Sequence, residues 1–133
     1  MAKKKTFYLH DMTYETVAEY LKTCDVVMVP MGSVERHGAH IPLGCDALTT
    51  WEVVKRAAEK ASVIYTPLTP YGYSPHHMHG MGEGTGTITF SGETYRRVVY
   101  DIGKSLIYHG FNKVVFVTHH GSNSKVVDEV LRR

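Results

Sequence analysis

Three continuous apolar runs of strand length stand out in the hydropathy pattern of this chain. They occupy residues 25–31, 62–68 and 113–118. An unbroken run, without alternation of apolar and polar positions, is typical of a strand that is buried on both faces of a parallel sheet. The stretch 87–90 predicts a further short strand.

Between these runs, apolar residues recur every three or four positions, the spacing of one helix face. This spacing predicts helices over 13–22, 47–61 and 91–109, and a fourth that begins at Ser124. Threonine and serine at the first positions suit N-capping, and Gly110 suits the left-handed position that ends a helix. The alternation predicts an α/β fold with a mostly parallel sheet flanked by helices.

Length and charge bound the classes of protein to consider. A chain of 133 residues with 43% hydrophobic residues predicts a single α/β domain over 1–133. Fifteen Lys and Arg balance 13 Asp and Glu, and the only basic run, 3–5, is typical of a solvated terminus, so we expect no nucleic-acid partner. No segment reaches the ~20 apolar residues that span a bilayer, and two cysteines provide no disulfide framework. We therefore expect no membrane association and a cytoplasmic location.

Two polar clusters follow predicted strands and carry side chains that bind metals. The first contains Glu35, His37 and Asp46, and the second, 118–123, contains His120. In an extended backbone, residues two apart point to the same side, so Glu35 and His37 can face one cavity. Both clusters fall at the carboxyl ends of strands, where open α/β sheets place their sites. Zinc and manganese accept imidazole and carboxylate together, and no Cys pair indicates a closed structural zinc site.

A loop over 72–86, rich in glycine and histidine, is the candidate source of a proton donor. Imidazole titrates near neutral pH, so His77 or His79 is suited to protonate a leaving group, although an acid from outside this chain is equally suitable. Ser74, His76 and His119 are candidate substrate contacts.

Alternative roles remain open for several polar residues. The loop histidines would otherwise only cover a loop, and His119 is equally suited to support a ligand or to make a structural contact. Ser33 is predicted to hydrogen-bond the ligand loop, and Asn123 to cap the last helix.

A succession of ordered motifs resembles the signatures of the creatininase (creatinine amidohydrolase) family. They are Gly32-Ser33-Val34-Glu35-Arg36-His37-Gly38 with Asp46, Gly72-Tyr73-Ser74, Gly86-Thr87-Ile88, and Gly110-Phe111 leading to His120-Gly121-Ser122-Asn123. The resemblance extends from about Asp25 to the last residue. It implies a creatininase-like fold and a hydrolase with two divalent ions, zinc or manganese, bridged by one aspartate and a water. By motif position, Glu35, Asp46 and His120 would hold one ion, and His37 with Asp46 the other.

The chain also departs from the family pattern. Family members are nearly twice as long, and in creatininase itself a glutamate for the second ion stands where this chain has Ser122. We therefore expect this chain to be the N-terminal half of a unit that a second polypeptide completes, either a separate product or a cleavage fragment. The resemblance further implies a homo-oligomer of such units.

Three functions are compatible with these features. The first is attack by a metal-bridged hydroxide on the carbonyl of a small cyclic polar molecule, which breaks a C–N bond of a cyclic amide. The second is hydrolysis of a C–C bond in a cyclic polyhydroxy-ketone such as an oxidised inositol, which presents the same electrophilic carbonyl. The third is a binding or regulatory subunit that keeps the fold without catalysis.

Overall fold

The computed structural model describes residues 6–78 and 85–132, which form a parallel sheet flanked by helices. In chain order the main elements are α1 (Tyr14–Leu21), β1 (Val26–Pro30), α2 (Cys45–Ala61), β2 (Ile64–Tyr65), α3 (Gly92–Tyr108), β3 (Lys113–Val117) and α4 (Gly121–Leu131). Two short 3₁₀ helices cover Leu9–Asp11 and Pro75–His77. The predicted α/β class with a mostly parallel sheet is confirmed.

β1 is the central strand of a three-stranded sheet with the order β2-β1-β3. Val27 pairs with Ile64 on one side and with Val114 on the other, both in parallel register. The first strand along the chain is thus the central one, and its Val27 and Val29 are almost inaccessible to solvent. Consequently, the loops that leave β1 and β3 emerge side by side at one edge of the sheet.

The predicted helix starts are partly confirmed. The hydroxyl of Thr13 accepts a hydrogen bond from the Thr16 amide, and Ser91 caps α3 in the same way. Gly110 has a φ of 103°, the left-handed conformation expected after α3. The last helix, however, begins at Gly121 and not at Ser124, because its first turn is polar and therefore invisible to a pattern of apolar residues.

The predicted strand over 87–90 is wrong. In this segment the structure has only two isolated bridges, between Ile88 and Val34 and between Thr89 and Gly72. Both partners lie in loops and not in the sheet, so the apolar side chains of the segment pack locally without a strand ladder.

One close approach fixes the loop that carries the first polar cluster. A side chain at Gly32, just after β1, would place its Cβ 2.7 Å from the Cβ of Ala47 in α2. Only glycine allows this contact, which brings the start of α2 against the end of β1. Among residues 6–78 and 85–132, no helix is both long and apolar enough to cross a membrane.

Candidate metal centre

The four predicted ligand residues converge at the carboxyl end of the sheet. Glu35 follows β1, Asp46 lies in the first turn of α2, and His120 immediately precedes α4. The His120 Nδ1 lies 3.0 Å from Glu35 Oε1 and 3.2 Å from Asp46 Oδ2. His37 Nε2 lies 3.2 Å from Asp46 Oδ1. Residues that are far apart in the sequence therefore form one cluster.

The hydrogen bonds of His120 define which ring nitrogen faces the carboxylates as an acceptor. Its Nε2 lies 2.9 Å from the carbonyl oxygen of Tyr73. A carbonyl oxygen can only accept a hydrogen bond, so Nε2 must carry a hydrogen. In the neutral ring, Nδ1 then carries no hydrogen and has a free lone pair. That lone pair points at two carboxylate oxygens, from Glu35 and Asp46.

His37 repeats this arrangement with the opposite ring nitrogens. Its Nδ1 lies 3.1 Å from the carbonyl oxygen of Glu35 and must therefore donate. Its Nε2 then faces Asp46 Oδ1, with Glu35 Oε1 at 3.7 Å. Metal-ligating histidines commonly use one nitrogen to hold a carbonyl and the other to bind the ion.

This donor set fits a divalent metal. A lone pair directed at a carboxylate is repelled unless a second proton or a cation lies between them. Glu35, Asp46 and His120 are buried, and each offers a ligand atom within 4.8 Å of the others. A mixture of imidazole and carboxylate suits zinc and manganese. Among the described residues the cluster consists of carboxylates and imidazole, without the cysteines that are typical of structural zinc sites.

Hydroxyl groups hold Glu35 in its ionised form. Burial alone would raise the pKa of Glu35, but hydrogen bonds from Ser74 and Ser33 and the nearby rings of His120 and His77 together keep it below its ordinary value. Ser33 donates to Glu35 Oε2 at 2.7 Å. The predicted contact between Ser33 and the ligand loop is thus present.

A cavity of about 430 Å³ opens onto the cluster. His77 lines it, with Nε2 3.4 Å from Glu35 Oε1, and the exposed His119 lines it as well. Ser74 does not, because its side chain is fully buried behind His120 Nε2, 3.2 Å away. His76 is exposed and lies outside the lining. His79, the alternative proton donor, lies outside the described residues.

The sequence predicted that Asn123 caps α4, and this prediction is wrong. Its side chain is fully buried inside the first turn, where Nδ2 donates to the carbonyl of Gly32 at 2.9 Å. Its Oδ1 accepts from the amide of Tyr73 at 2.9 Å. One side chain therefore ties the end of β1, the Tyr73 loop and α4 together, and it fixes the segment whose carbonyl orients His120.

Lys125 is a cation beside this cluster that the sequence pattern did not reveal. Lys125 and Ser122, both from the first turns of α4, line the cavity together with the predicted ligands. Nothing in the amphipathic pattern of α4 separates Lys125 from a solvent-exposed lysine, because the pattern reports which residues face the core and not which ones stand over a cavity.

Comparison with known proteins supports one family for nearly the whole chain. The creatininase family model, described as creatinine amidohydrolase, matches residues 10–133. Creatinine amidohydrolase of Pseudomonas putida is 31% identical over 127 residues, 94% of this chain and 49% of that protein. A 3-dehydro-scyllo-inosose hydrolase of Thermotoga maritima is 29% identical over 121 residues, 91% of this chain and 38% of that protein.

Solved structures agree with these relatives. A manganese form of creatininase superimposes with a TM-score of 0.86 at 30% identity, covering 96% of this chain and 51% of that one. The matched creatininase structures also include a Zn-Zn form. The chain thus has a creatininase-like fold, and it spans about half the length of the relatives that it matches.

Proposed function

This chain belongs to the creatininase family, and from that premise we propose that it carries the metal centre of a hydrolase acting on the carbonyl of a small cyclic polar molecule. The observation that carries the proposal is the orientation of His37 and His120. In each ring, one nitrogen hydrogen-bonds to a backbone carbonyl and the other faces Asp46. If these histidines only formed ion pairs, the two rings would not need to converge or to share one carboxylate.

The donor atoms divide into two groups that share Asp46. Glu35, His120 and Asp46 Oδ2 form the first, and His37 with Asp46 Oδ1 forms the second. We assign them to two divalent ions, zinc or manganese: each group would hold one ion, and Asp46 would be shared by both. When bound, such ions polarise a carbonyl and lower the pKa of a water to near neutrality.

His77 is the proposed proton donor for the leaving group. It lines the cavity, with Nε2 3.4 Å from Glu35 Oε1. Imidazole can both donate and accept a proton near neutral pH. His119, at the rim of the same cavity, is the proposed substrate contact, whereas Ser74 acts behind the site by positioning His120.

Cleavage of a C–N bond in a cyclic amide is the first candidate reaction, since the chain resembles an amidohydrolase at 31% identity. Cleavage of a C–C bond in a cyclic polyhydroxy-ketone is the second, because an inosose hydrolase is almost equally similar at 29%. Both reactions begin with attack on a carbonyl, and the described residues suit either.

Metal content and turnover test this proposal together. We expect about two equivalents of zinc or manganese per complete site, and turnover of either a lactam or a keto-inositol that stops when the metal is removed by a chelator. His77→Gln should lower kcat by about 10²-fold or more at unchanged metal content. The adjacent His76→Gln, at an exposed position outside the cavity, is the matched control. An assembled protein without metal would instead support a non-catalytic subunit.

A second polypeptide is proposed to complete this unit along β3. The apolar sequence of β3 is typical of a fully buried strand, yet Val115 is 42% exposed, and β3 pairs only with β1 among the described residues. The opposite sheet edge is covered, since the Tyr65 amide bonds to the Phe7 carbonyl. Beside β3, an apolar groove of about 320 Å³ includes Ile107 and other side chains of α3 and α4.

The occupant that we propose has the remaining half of the relatives' length and would pair with the free edge of β3. Several such units would then form a homo-oligomer. Native mass spectrometry should detect a tight complex, which Val115→Lys breaks and which Tyr14→Lys, on the exposed surface of α1, leaves intact. A 133-residue chain that is monomeric, loaded with two ions and fully active would overturn this proposal.

A further inference from the structure

One wall of the cavity over the ligand cluster differs from its floor in the side chains that line it. Glu35 and Asp46 with their imidazoles form the floor, whereas the first turns of α4 contribute Gly121, Ser122 and Lys125. A serine and a lysine thus line this wall, and Lys125 is the only lysine or arginine among the lining residues that the structure describes.

Lys125 is not engaged by a carboxylate in the part of the chain that the structure describes. The acids one turn further along α4 have other cationic partners, Asp128 with Arg132 and Glu129 with Arg96. No ion pair links Lys125 to Glu35 or Asp46, although all three line one cavity. Its charge is therefore available to a ligand.

The geometry of α4 places the Lys125 side chain beside the start of the helix. Side chains on a helix lean towards its N-terminus, so Lys125 covers the turn that contains Gly121 and follows His120. Gly121 leaves the path open, because a Cβ added there would meet nothing within 4 Å. The flexible stem of lysine can extend along this open face.

We propose that Lys125 binds an anionic group of the substrate, a carboxylate or its equivalent, while the reacting carbonyl lies over Glu35, Asp46 and His120. This assignment rests on the function proposed above and narrows it to substrates that carry a negative charge. Lys125 is then a specificity-determining residue, and its ammonium group contributes to substrate binding and not to bond cleavage.

Dicarboxylates test this assignment without knowledge of the natural substrate. The metal-loaded protein is titrated calorimetrically with straight-chain dicarboxylates of three to six carbons and with their half-amides, which keep one carboxylate for the metal and replace the other by a neutral group. At the best chain length, we expect the dicarboxylate to bind about tenfold more tightly than its half-amide, the fold-change typical of one charge-assisted contact.

Three variants distinguish the effect of Lys125 on ligand binding from the effect of surface charge in general. Lys125→Met should remove the preference for the dicarboxylate, Lys125→Arg should retain it, and Lys60→Met, at the opposite end of α2 from Asp46, should not change it. Equal binding of acid and half-amide by the metal-loaded wild type, or an unchanged preference in Lys125→Met, would overturn this inference alone. A protein that binds no divalent ion would overturn the proposed function and this inference with it.

Discussion

Asn123→Ala should destabilise the protein far more than an average substitution on a short helix. The side chain is fully buried, and it donates to Gly32 O at 2.9 Å and to Thr118 Oγ1 at 3.2 Å and accepts from Tyr73 N at 2.9 Å. Truncation leaves the Gly32 carbonyl and the Tyr73 amide without these partners. A buried polar group that loses its partner costs about 1–3 kcal/mol.

Two such groups give an expected loss of about 2–6 kcal/mol in the free energy of unfolding, by the same range per group. That is a large share of the ~5–15 kcal/mol by which domains are stable. Asn123→Asp should also destabilise strongly, because an oxygen then replaces the Nδ2 that donates to Gly32. Because Tyr73 also orients His120, both variants should weaken metal binding.

Urea unfolding followed by circular dichroism measures this effect, with the slope of the transition checked for two-state behaviour. Ser124→Ala is the matched control. It lies next to Asn123 in α4, is exposed, and loses only a hydrogen bond to the Gly121 carbonyl. If Asn123→Ala lost less than about 1 kcal/mol, below the cost of even one orphaned group, the role of Asn123 as a tie between three segments would be refuted.

Three further predictions concern the site and the core. Asp46→Ala should lose most bound metal, because it removes the carboxylate that lies 3.2 Å from both His37 Nε2 and His120 Nδ1; retention of two ions, measured by mass spectrometry, would exclude Asp46 as the bridge. Tyr95→Phe should leave stability unchanged or raise it by up to about 1 kcal/mol, since the Tyr95 hydroxyl is buried without a hydrogen-bond partner in the described structure. A marked loss in thermal unfolding would show that this hydroxyl has a partner. Because the folded pKa of Glu35 is lowered from its ordinary 4.5, its ionised form stabilises the fold fully above that pH and less as the pH falls through the folded pKa. The stability difference between wild type and Glu35→Gln should therefore be constant at neutral pH and shrink in acid, and a constant difference throughout would contradict a lowered pKa.

The sheet and the ligand cluster were predictable because each depends on a local signal. The apolar runs of β1 and β3 are unbroken, and Ser91 marks the start of α3. Glu35 and His120 follow two of these strands, and parallel strands bring their carboxyl ends to one edge. The local sequence pattern was therefore enough to predict that these two residues lie close together.

Other assignments failed where the outcome depends on contacts between distant segments. Asn123 has the composition of a cap, but the space between Gly32 and Tyr73 determines its actual role. Ser74 is a hydroxyl beside a histidine-rich loop, and only the fold shows that it faces the back of His120. Residues 87–90 have strand-like composition but no neighbouring strand to pair with.

The central position of β1 has a consequence for folding during synthesis of the chain. The ribosome makes β1 first, yet its two neighbours, β2 and β3, follow only after α2 and α3 respectively. Contacts between such distant segments slow folding, because long loops must close before the contacts form. Until Val114 is made, one edge of the most apolar strand stays open. The nascent chain is therefore prone to aggregate until β3 has been made, and a chaperone that binds extended apolar segments would protect it during that time.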